Sequence, residues 1–290
     1  MKKCALIDIG SNSVRLMFVA DGKVLYKSLQ TTRLSEGIAL SSVPTLTEAA
    51  IERSARAVAD FYQQAKQDGA EETYAFATAA ARTAVNGQAF VQRVDELCGL
   101  HVEIISGEEE AELGILGALG NQDGALIDIG GASTEIIVKH NGRLVYKKSV
   151  NIGVVRLKDK CGREEEKLIA ECLQAAQEFG VVPNDITLYG IGGTATTIAA
   201  QAMGLAQYSS EAITGAEITV EQLEEQAKKL LTMSVEEIAN LPCVPRGRED
   251  VLTGGAVLLS TLLKELGFTK MVASDRDNLE GYAIKHQLME

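Results

Sequence analysis

The chain repeats itself. Residues 5–27 (ALIDIGSNSVRLMFVADGKVLYK) align without a gap on residues 125–147 (ALIDIGGASTEIIVKHNGRLVYK), an offset of 120, and ten of the 23 positions are identical. Each copy runs an apolar stretch into an acidic-glycine turn, then a second β-rich stretch, an Asp-Gly or Asn-Gly pair, and a third stretch. Alternating strands around such a pair predict a three-stranded β-meander. A chain of 290 residues has reached the length at which one core divides, so the repeat predicts one meander per domain. After each meander the pattern changes to helical spacing, and the helix starts carry caps. Thr45-Leu46-Thr47-Glu48 opens a segment to about residue 68, Ser106-Gly107-Glu108-Glu109 one to about 119, and Thr219-Val220-Glu221-Gln222 another. Strand-like pieces lie between them at 73–77, 102–105, 187–191 and 270–273. The expected fold is α/β, two similar domains related by duplication, each a mixed sheet flanked by helices. The turn-forming residues 120–124 are the expected linker. They give a first domain of residues 1 to about 120, joined by a final helix at about 279–290, and a second of about 121–278.

Charge narrows the functions. The chain has 28 Lys and Arg against 40 Asp and Glu, a net charge of −12, which sets aside a generic basic nucleic-acid binder. The apolar stretch between the leading Met-Lys-Lys and Asp8 is too short for a signal segment, and no apolar run is long enough to cross a bilayer. A cytoplasmic protein that binds neither nucleic acid nor membrane is expected, and a homodimer is compatible with this composition. Five cysteines, Cys4, Cys98, Cys161, Cys172 and Cys243, are scattered without a CxxC pair, which suits reduced thiols rather than disulfides or zinc. The three histidines, His101, His140 and His286, are equally isolated, so a His-centred triad has little raw material.

The chemistry-bearing positions are the turns. Asp8-Ile9-Gly10-Ser11-Asn12-Ser13 and Asp128-Ile129-Gly130-Gly131-Ala132-Ser133-Thr134 each place a carboxylate at a strand end, then residues that turn sharply, then hydroxyls. Backbone N–H groups converge in such a turn on an anion, and glycine permits the close approach. Asp8 and Asp128 cannot bind phosphate themselves, so they would hold a divalent metal beside it. Glu135 points to the same side by strand alternation, or is solvated. Singly, each turn reads equally as a tight hairpin with a capping Asp. Two matching anion nests are expected of an oligophosphate site, and hairpin geometry does not require them. A third glycine turn, Gly190-Ile191-Gly192-Gly193-Thr194-Ala195, follows a strand and precedes an apolar helix, an arrangement that again aims N–H groups at an anion.

These three turns, in this order and spacing, resemble the actin, sugar-kinase and heat-shock-chaperone superfamily. Together with Ala77-Thr78-Ala79-Ala80-Ala81-Arg82 and Ile105-Ser106-Gly107-Glu108-Glu109-Glu110-Ala111, they resemble one family within it, the exopolyphosphatases and guanosine pentaphosphate phosphohydrolases, in their short two-domain form. The resemblance implies two ribonuclease-H-like, actin-like ATPase-type domains with the active site in the interdomain cleft. It implies that Glu110 activates the attacking water, that Arg82 contacts phosphate, and that Asp128 associates with Mg2+ or Mn2+. Gly10, Ser11, Asn12 and Ser13 match the first half of the phosphate cradle, and Gly130, Gly131, Ala132, Ser133 and Thr134 the second. Gly192, Gly193 and Thr194 fall where superfamily relatives hold a nucleoside. The chain departs from the family at Ala132, where a third glycine is usual, and at Leu279, where the family's Gly-Leu-Arg-Glu-Gly run has its arginine.

From the residues alone, Glu110 also reads as a helix-dipole carboxylate among Glu108, Glu109 and Glu112, and Arg82 as a surface arginine. Arg15, Lys23, Lys27, Arg33, Arg82 and Arg156 could line a basic cleft, though Lys23 and Lys27 read better as solvated cations. The expected activity is release of terminal phosphate from inorganic polyphosphate, with guanosine pentaphosphate second, because no aromatic residue lies within 190–207 to stack on a base. A nucleotide-dependent phosphotransferase and a non-catalytic polyphosphate or nucleotide sensor are the alternatives.

Overall fold

A computed structural model describes residues 3–38 and 43–289 of the chain; residues 1 and 2 of the leading Met-Lys-Lys, residues 39–42, and residue 290 of the expected final helix lie outside the described residues. The chain divides into two compact units, Met1–Gly117 with Asn278–Glu290, and Ala118–Asp277.

In the first unit, β1 (Lys3–Ile9), β2 (Ser13–Ala20), β3 (Lys23–Thr31), β4 (Glu72–Ala77) and β5 (Glu103–Ile104) form a sheet in the order β3-β2-β1-β4-β5. β1 runs antiparallel to β2 and parallel to β4. Its side chains are buried on both faces from Cys4 to Ile9, which is why it reads as a continuous apolar run. Asp21 and Gly22, with φ of 51° and 74°, make the hairpin turn whose twist matches the strands it joins. The helix Glu48–Gln67 covers the sheet with Ala50, Ile51, Ala55, Val58 and Phe61. Its cap is Thr47, whose side chain accepts from the Ala50 N–H at 3.1 Å, rather than the expected Thr45. The reason is Asn86, which accepts from the Leu46 N–H at 2.8 Å and donates to the Leu46 carbonyl at 2.9 Å, holding that residue out of the helix. β5 is shorter than the expected 102–105: only Glu103 and Ile104 pair with Phe76 and Ala77 of β4, while Val102 and Ile105 are buried on either side of it.

The helix Asn278–Lys285 belongs to this unit. Tyr282 stacks on Phe76 with centroids 4.9 Å apart, and a Cβ on Gly281 would overlap the Leu113 carbonyl. Leu279, at the position of the family's arginine, is 1% exposed in an apolar cluster with Leu6, Met17 and Leu113. Lys27 corrects an expectation: it is ion-paired with the buried Glu280 at 2.6 Å, not solvated.

In the second unit, β6 (Gly124–Ile129), β7 (Thr134–His140), β8 (Arg143–Val150), β9 (Leu188–Ile191), β10 (Glu217–Thr219) and β11 (Lys270–Ala273) form a sheet in the order β8-β7-β6-β9-β11-β10. This is the first sheet's order with a strand added. The duplication extends to detail. Asn141 and Gly142 have φ of 52° and 72°, and the register shift between Val138 and Lys139 falls 120 residues after that between Phe18 and Val19. The helices Glu165–Phe179, Gly192–Ala202, Val220–Thr232 and Leu252–Glu265 flank the sheet, and Thr219 with Gln222 forms the expected capping box. β3 and β8 are outer strands of their sheets; Leu25 is 60% exposed, Leu144 48% and Val145 53%. No helix among the described residues is long and apolar enough to cross a membrane.

Candidate active site

The turn between β1 and β2 is closed by the Gly10 N–H donating to the Ser13 carbonyl at 3.0 Å. Its own carbonyls are tied back: Ser11 accepts from the Ser35 N–H at 3.0 Å, and Asn12 from the Thr32 and Arg33 N–H groups at 3.0 and 2.8 Å. The N–H groups of Ser11 and Asn12 donate to no acceptor among the described residues. The turn between β6 and β7 repeats this. Gly130 donates to the Ser133 carbonyl at 2.9 Å, and the Gly130 and Gly131 carbonyls accept from Val154, Val155 and Arg156. The N–H groups of Gly131, Ala132 and Ser133 donate to nothing among the described residues. Carbonyls held back with amides uncommitted are what an anion nest requires. Ala132 is 2% exposed. The Thr134 hydroxyl donates to the Ile152 carbonyl at 2.7 Å, so it anchors β7.

Next to each turn stands a cross-strand pair, and here the copies differ. Asp8 lies opposite Arg15 in the β1–β2 ladder and is ion-paired with it. Asp128 lies opposite Glu135 in the β6–β7 ladder, and Glu135 accepts from the Ser149 hydroxyl at 2.5 Å. The third turn abuts this pair: a Cβ on Gly192, whose φ is +75°, would sit 2.5 Å from Asp128 Oδ1. Two facing carboxylates beside a glycine cradle are hard oxygen donors of the kind that suit Mg2+ or Mn2+, with water and substrate oxygens completing the shell. No group of three or more His, Cys, Asp or Glu among the described residues could hold a metal by itself. Thr194 bolts the third turn to β6, its hydroxyl donating to the Ile129 carbonyl at 2.9 Å.

Two residues near this turn escaped the sequence reading. The Arg248 guanidinium occupies the space a Cβ on Gly193 would need, and Arg248 is 8% exposed; its signal was the run Arg246-Gly247-Arg248-Glu249-Asp250, which resembles no binding motif. Tyr208, one residue past the aromatic-free stretch, donates its hydroxyl to Asp275 and bonds to Thr196 on the helix that starts at the turn. Burial and the Asp275 carboxylate push that hydroxyl's pKa up. Arg156 is half-buried, and desolvation lowers its guanidinium pKa against the opposing effect of Asp159.

Arg82 and Glu110, 28 residues apart, come together. Arg82 projects from the short helix Ala79–Thr83 and Glu110 from the first turn of Gly107–Leu119. Arg82 Nη1 lies 2.7 Å from Glu110 Oε2 and 3.2 Å from the Ile105 carbonyl. The Glu110 side chain is 13% exposed, unlike its neighbours in role: Glu109 pairs with Lys285, and its N–H is capped by Ser106 at 3.0 Å. The arginine holds the Glu110 carboxylate in one orientation by a charge-assisted hydrogen bond.

The model of the Ppx/GppA phosphatase family matches residues 12–288. Exopolyphosphatase 2 of Mycobacterium tuberculosis is 30% identical over 318 residues, covering 98% of this chain and 98% of its own. A crystal structure of an exopolyphosphatase-like protein is similar with a TM-score of 0.88 at 26% identity, over 99% of this chain and 100% of that one. The Ppx/GppA family member of Aquifex aeolicus is similar with a TM-score of 0.78 at 26% identity, over 99% and 98%.

Proposed function

The chain belongs to the Ppx/GppA phosphatase family, and from that premise we propose that it is an exopolyphosphatase, a phosphoanhydride hydrolase that releases terminal phosphate from inorganic polyphosphate. The observation that carries this reading is the pair of turns whose amides at Ser11 and Asn12, and at Gly131, Ala132 and Ser133, are left uncommitted at matching registers. They seat phosphate oxygens without needing a net positive protein. Gly10 and Gly130 shape those seats, Ser13 flanks the first, and the third turn at Gly192, Gly193 and Thr194 extends the binding surface. Magnesium or manganese held by Asp128 and Glu135 would draw charge from the phosphoryl oxygens when bound.

Glu110 accepts the proton of the attacking water as its oxygen bonds to the terminal phosphorus. The bridging P–O bond breaks in line, and the electron pair leaves on the shortened chain. Arg82 holds the Glu110 carboxylate in place and offers its remaining N–H groups to the phosphoryl oxygens. Guanosine pentaphosphate is the weaker substrate on this reading, because residues 190–207, which include the third turn, carry no ring to stack on its base. The setting is cytoplasmic and the partner a phosphate substrate. Phosphotransfer to a hydroxyl acceptor would need an aspartate placed as base beside that acceptor; Asp8 and Asp128 instead lie opposite Arg15 and Glu135 in their ladders.

The test is phosphate release from short-chain polyphosphate. Glu110→Gln should lower turnover by about 10²- to 10⁴-fold while leaving substrate affinity within about tenfold, since the side chain acts on water rather than on ground-state phosphate. Near-normal turnover would show Glu110 to be only a helix-terminal carboxylate.

A further inference from the structure

We infer that Arg156 is a phosphate-binding residue of the second turn, offering its guanidinium Nη groups to oxygens of a polyphosphate seated on the Gly131, Ala132 and Ser133 amides. This rests on the exopolyphosphatase reading above and adds to it a side chain that grips the substrate. Arg156 is the third residue of the helix Val154–Cys161, whose start is bolted to that turn. The Val154, Val155 and Arg156 N–H groups donate to the Gly130 and Gly131 carbonyls, at 3.0 Å for Val154 to Gly130 and at 2.9 and 3.3 Å for Val155 and Arg156 to Gly131. Gly153 permits the close approach, since a Cβ there would stand 2.6 Å from the Gly130 and Gly131 carbonyl oxygens. Helical side chains lean toward the helix N-terminus, so an arginine in this first turn leans over the end that abuts the uncommitted amides.

The charge of this side chain is unanswered within the protein. Arg156 is half-buried, and its Nε is buried without a hydrogen-bond partner. No acceptor among the described residues takes its Nη groups. Desolvation lowers its pKa, opposed by Asp159, which forms no ion pair with it; a guanidinium keeps its charge even so. A desolvated cation without a counter-charge weakens the folded state, and a buried donor left unpaired calls for an explanation. An anion on the adjacent amides supplies the counter-charge. The first copy of the repeat is built differently. At the offset of 120 the counterpart of Arg156 is Glu36. The neighbouring backbone bonds still correspond, Ser35 to Ser11 and Val155 to Gly131, yet Glu36 is ion-paired with Arg53 at 2.9 Å. One copy thus holds a neutralised pair where the other keeps a cation for its ligand.

The experiment is titration calorimetry with inorganic tripolyphosphate in EDTA, so that binding is read without hydrolysis, together with melting temperatures and steady-state hydrolysis of short-chain polyphosphate in Mg2+. Wild type should bind tripolyphosphate and melt higher with it. Arg156→Gln should bind about 10- to 100-fold more weakly, the worth of a charge-assisted hydrogen bond. It should also raise KM with kcat nearly unchanged, because the seated phosphate is held in ground and transition states alike. Its ligand-free melting temperature should not fall, since the side chain gives up no partner. Lys158→Gln removes a cation from the same helix that is already paired with Asp250 at 2.7 Å, and it should keep wild-type affinity. Wild-type affinity in an Arg156→Gln protein with native circular dichroism, an equal loss in Lys158→Gln, or no binding to wild type would each overturn the assignment. Binding that depends on Arg156 without any hydrolysis would sink the exopolyphosphatase reading and leave this one standing; hydrolysis by wild type with affinity indifferent to Arg156 would do the reverse.

Discussion

At Gly192 the backbone lies in the left-handed region with φ of +75°, and a Cβ there would stand 2.5 Å from the Asp128 carboxylate. Gly204 shares the first constraint, with φ of +66°, but has open space where a Cβ would go. Gly204→Ala should therefore cost about 1 kcal/mol, the left-handed backbone penalty alone. Gly192→Ala should cost about 2–4 kcal/mol, because overpacking adds to it, and should also weaken hydrolysis by moving Asp128. Urea unfolding of the two variants checks this, and equal losses would show that the Asp128 contact carries no weight. The residues of the candidate site differ in how far the sequence disclosed them. Asp8, Asp128 and the turn glycines were legible because a carboxylate, a sharp turn and a hydroxyl follow one another along the chain. The Arg82–Glu110 pair was legible only as two separate residues, since their meeting depends on how two helices pack. Arg248 was not legible: its guanidinium lies where a Cβ on Gly193 would go, 55 positions away, and nothing local marks it.

Among the elements, the meanders were readable almost to the register, because an Asp-Gly or Asn-Gly pair demands positive φ at both positions and so fixes where each hairpin turns. The start of the helix Glu48–Gln67 was misplaced by two residues because Asn86, far along the chain, holds Leu46 from the side; caps are local signals that a tertiary bond can override. The helix Asn278–Lys285 gives the clearest energetic test. Glu280 Oε1 lies 2.6 Å from Lys27 Nζ on β3, with side-chain exposures of 4% and 28%. Removing one partner of a fully buried pair costs roughly 3–5 kcal/mol, and the partial exposure of Lys27 lowers that to about 2–3 kcal/mol. Lys27→Ala should lose this amount in denaturant unfolding, and adding Glu280→Gln should recover most of it, because the buried charge goes with its partner. A double variant no more stable than Lys27→Ala would place the loss in the lysine's packing instead.

For the molecule as a whole, a net charge of −12 opposes a polyanionic substrate at long range, while the turns proposed to seat phosphate would attract it at contact. Salt separates these terms. At 0.1 M the screening length is about 10 Å, so long-range repulsion is already weak, and further salt mainly erodes phosphate contacts. A chain gripped at many phosphates should lose more kcat/KM than guanosine pentaphosphate as salt rises, and steady-state kinetics on both substrates at two salt concentrations measure it. A preference for the nucleotide would change the substrate and leave the roles proposed for Glu110 and Asp128 unaffected. The same negative charge bears on how copies of the protein avoid one another. β8 is an outer strand whose exposed Leu144 and Val145 lie between Arg143 and Lys147, so those two cations guard a sticky edge. Replacing both by Thr takes the net charge from −12 to −14, which a purely colloidal view counts as protection. Edge guarding makes the opposite prediction: light scattering on warming should rise for the Arg143→Thr, Lys147→Thr protein and stay flat when Lys228 and Lys229 on the helix Val220–Thr232 are replaced instead, so that a more highly charged protein becomes the less soluble one.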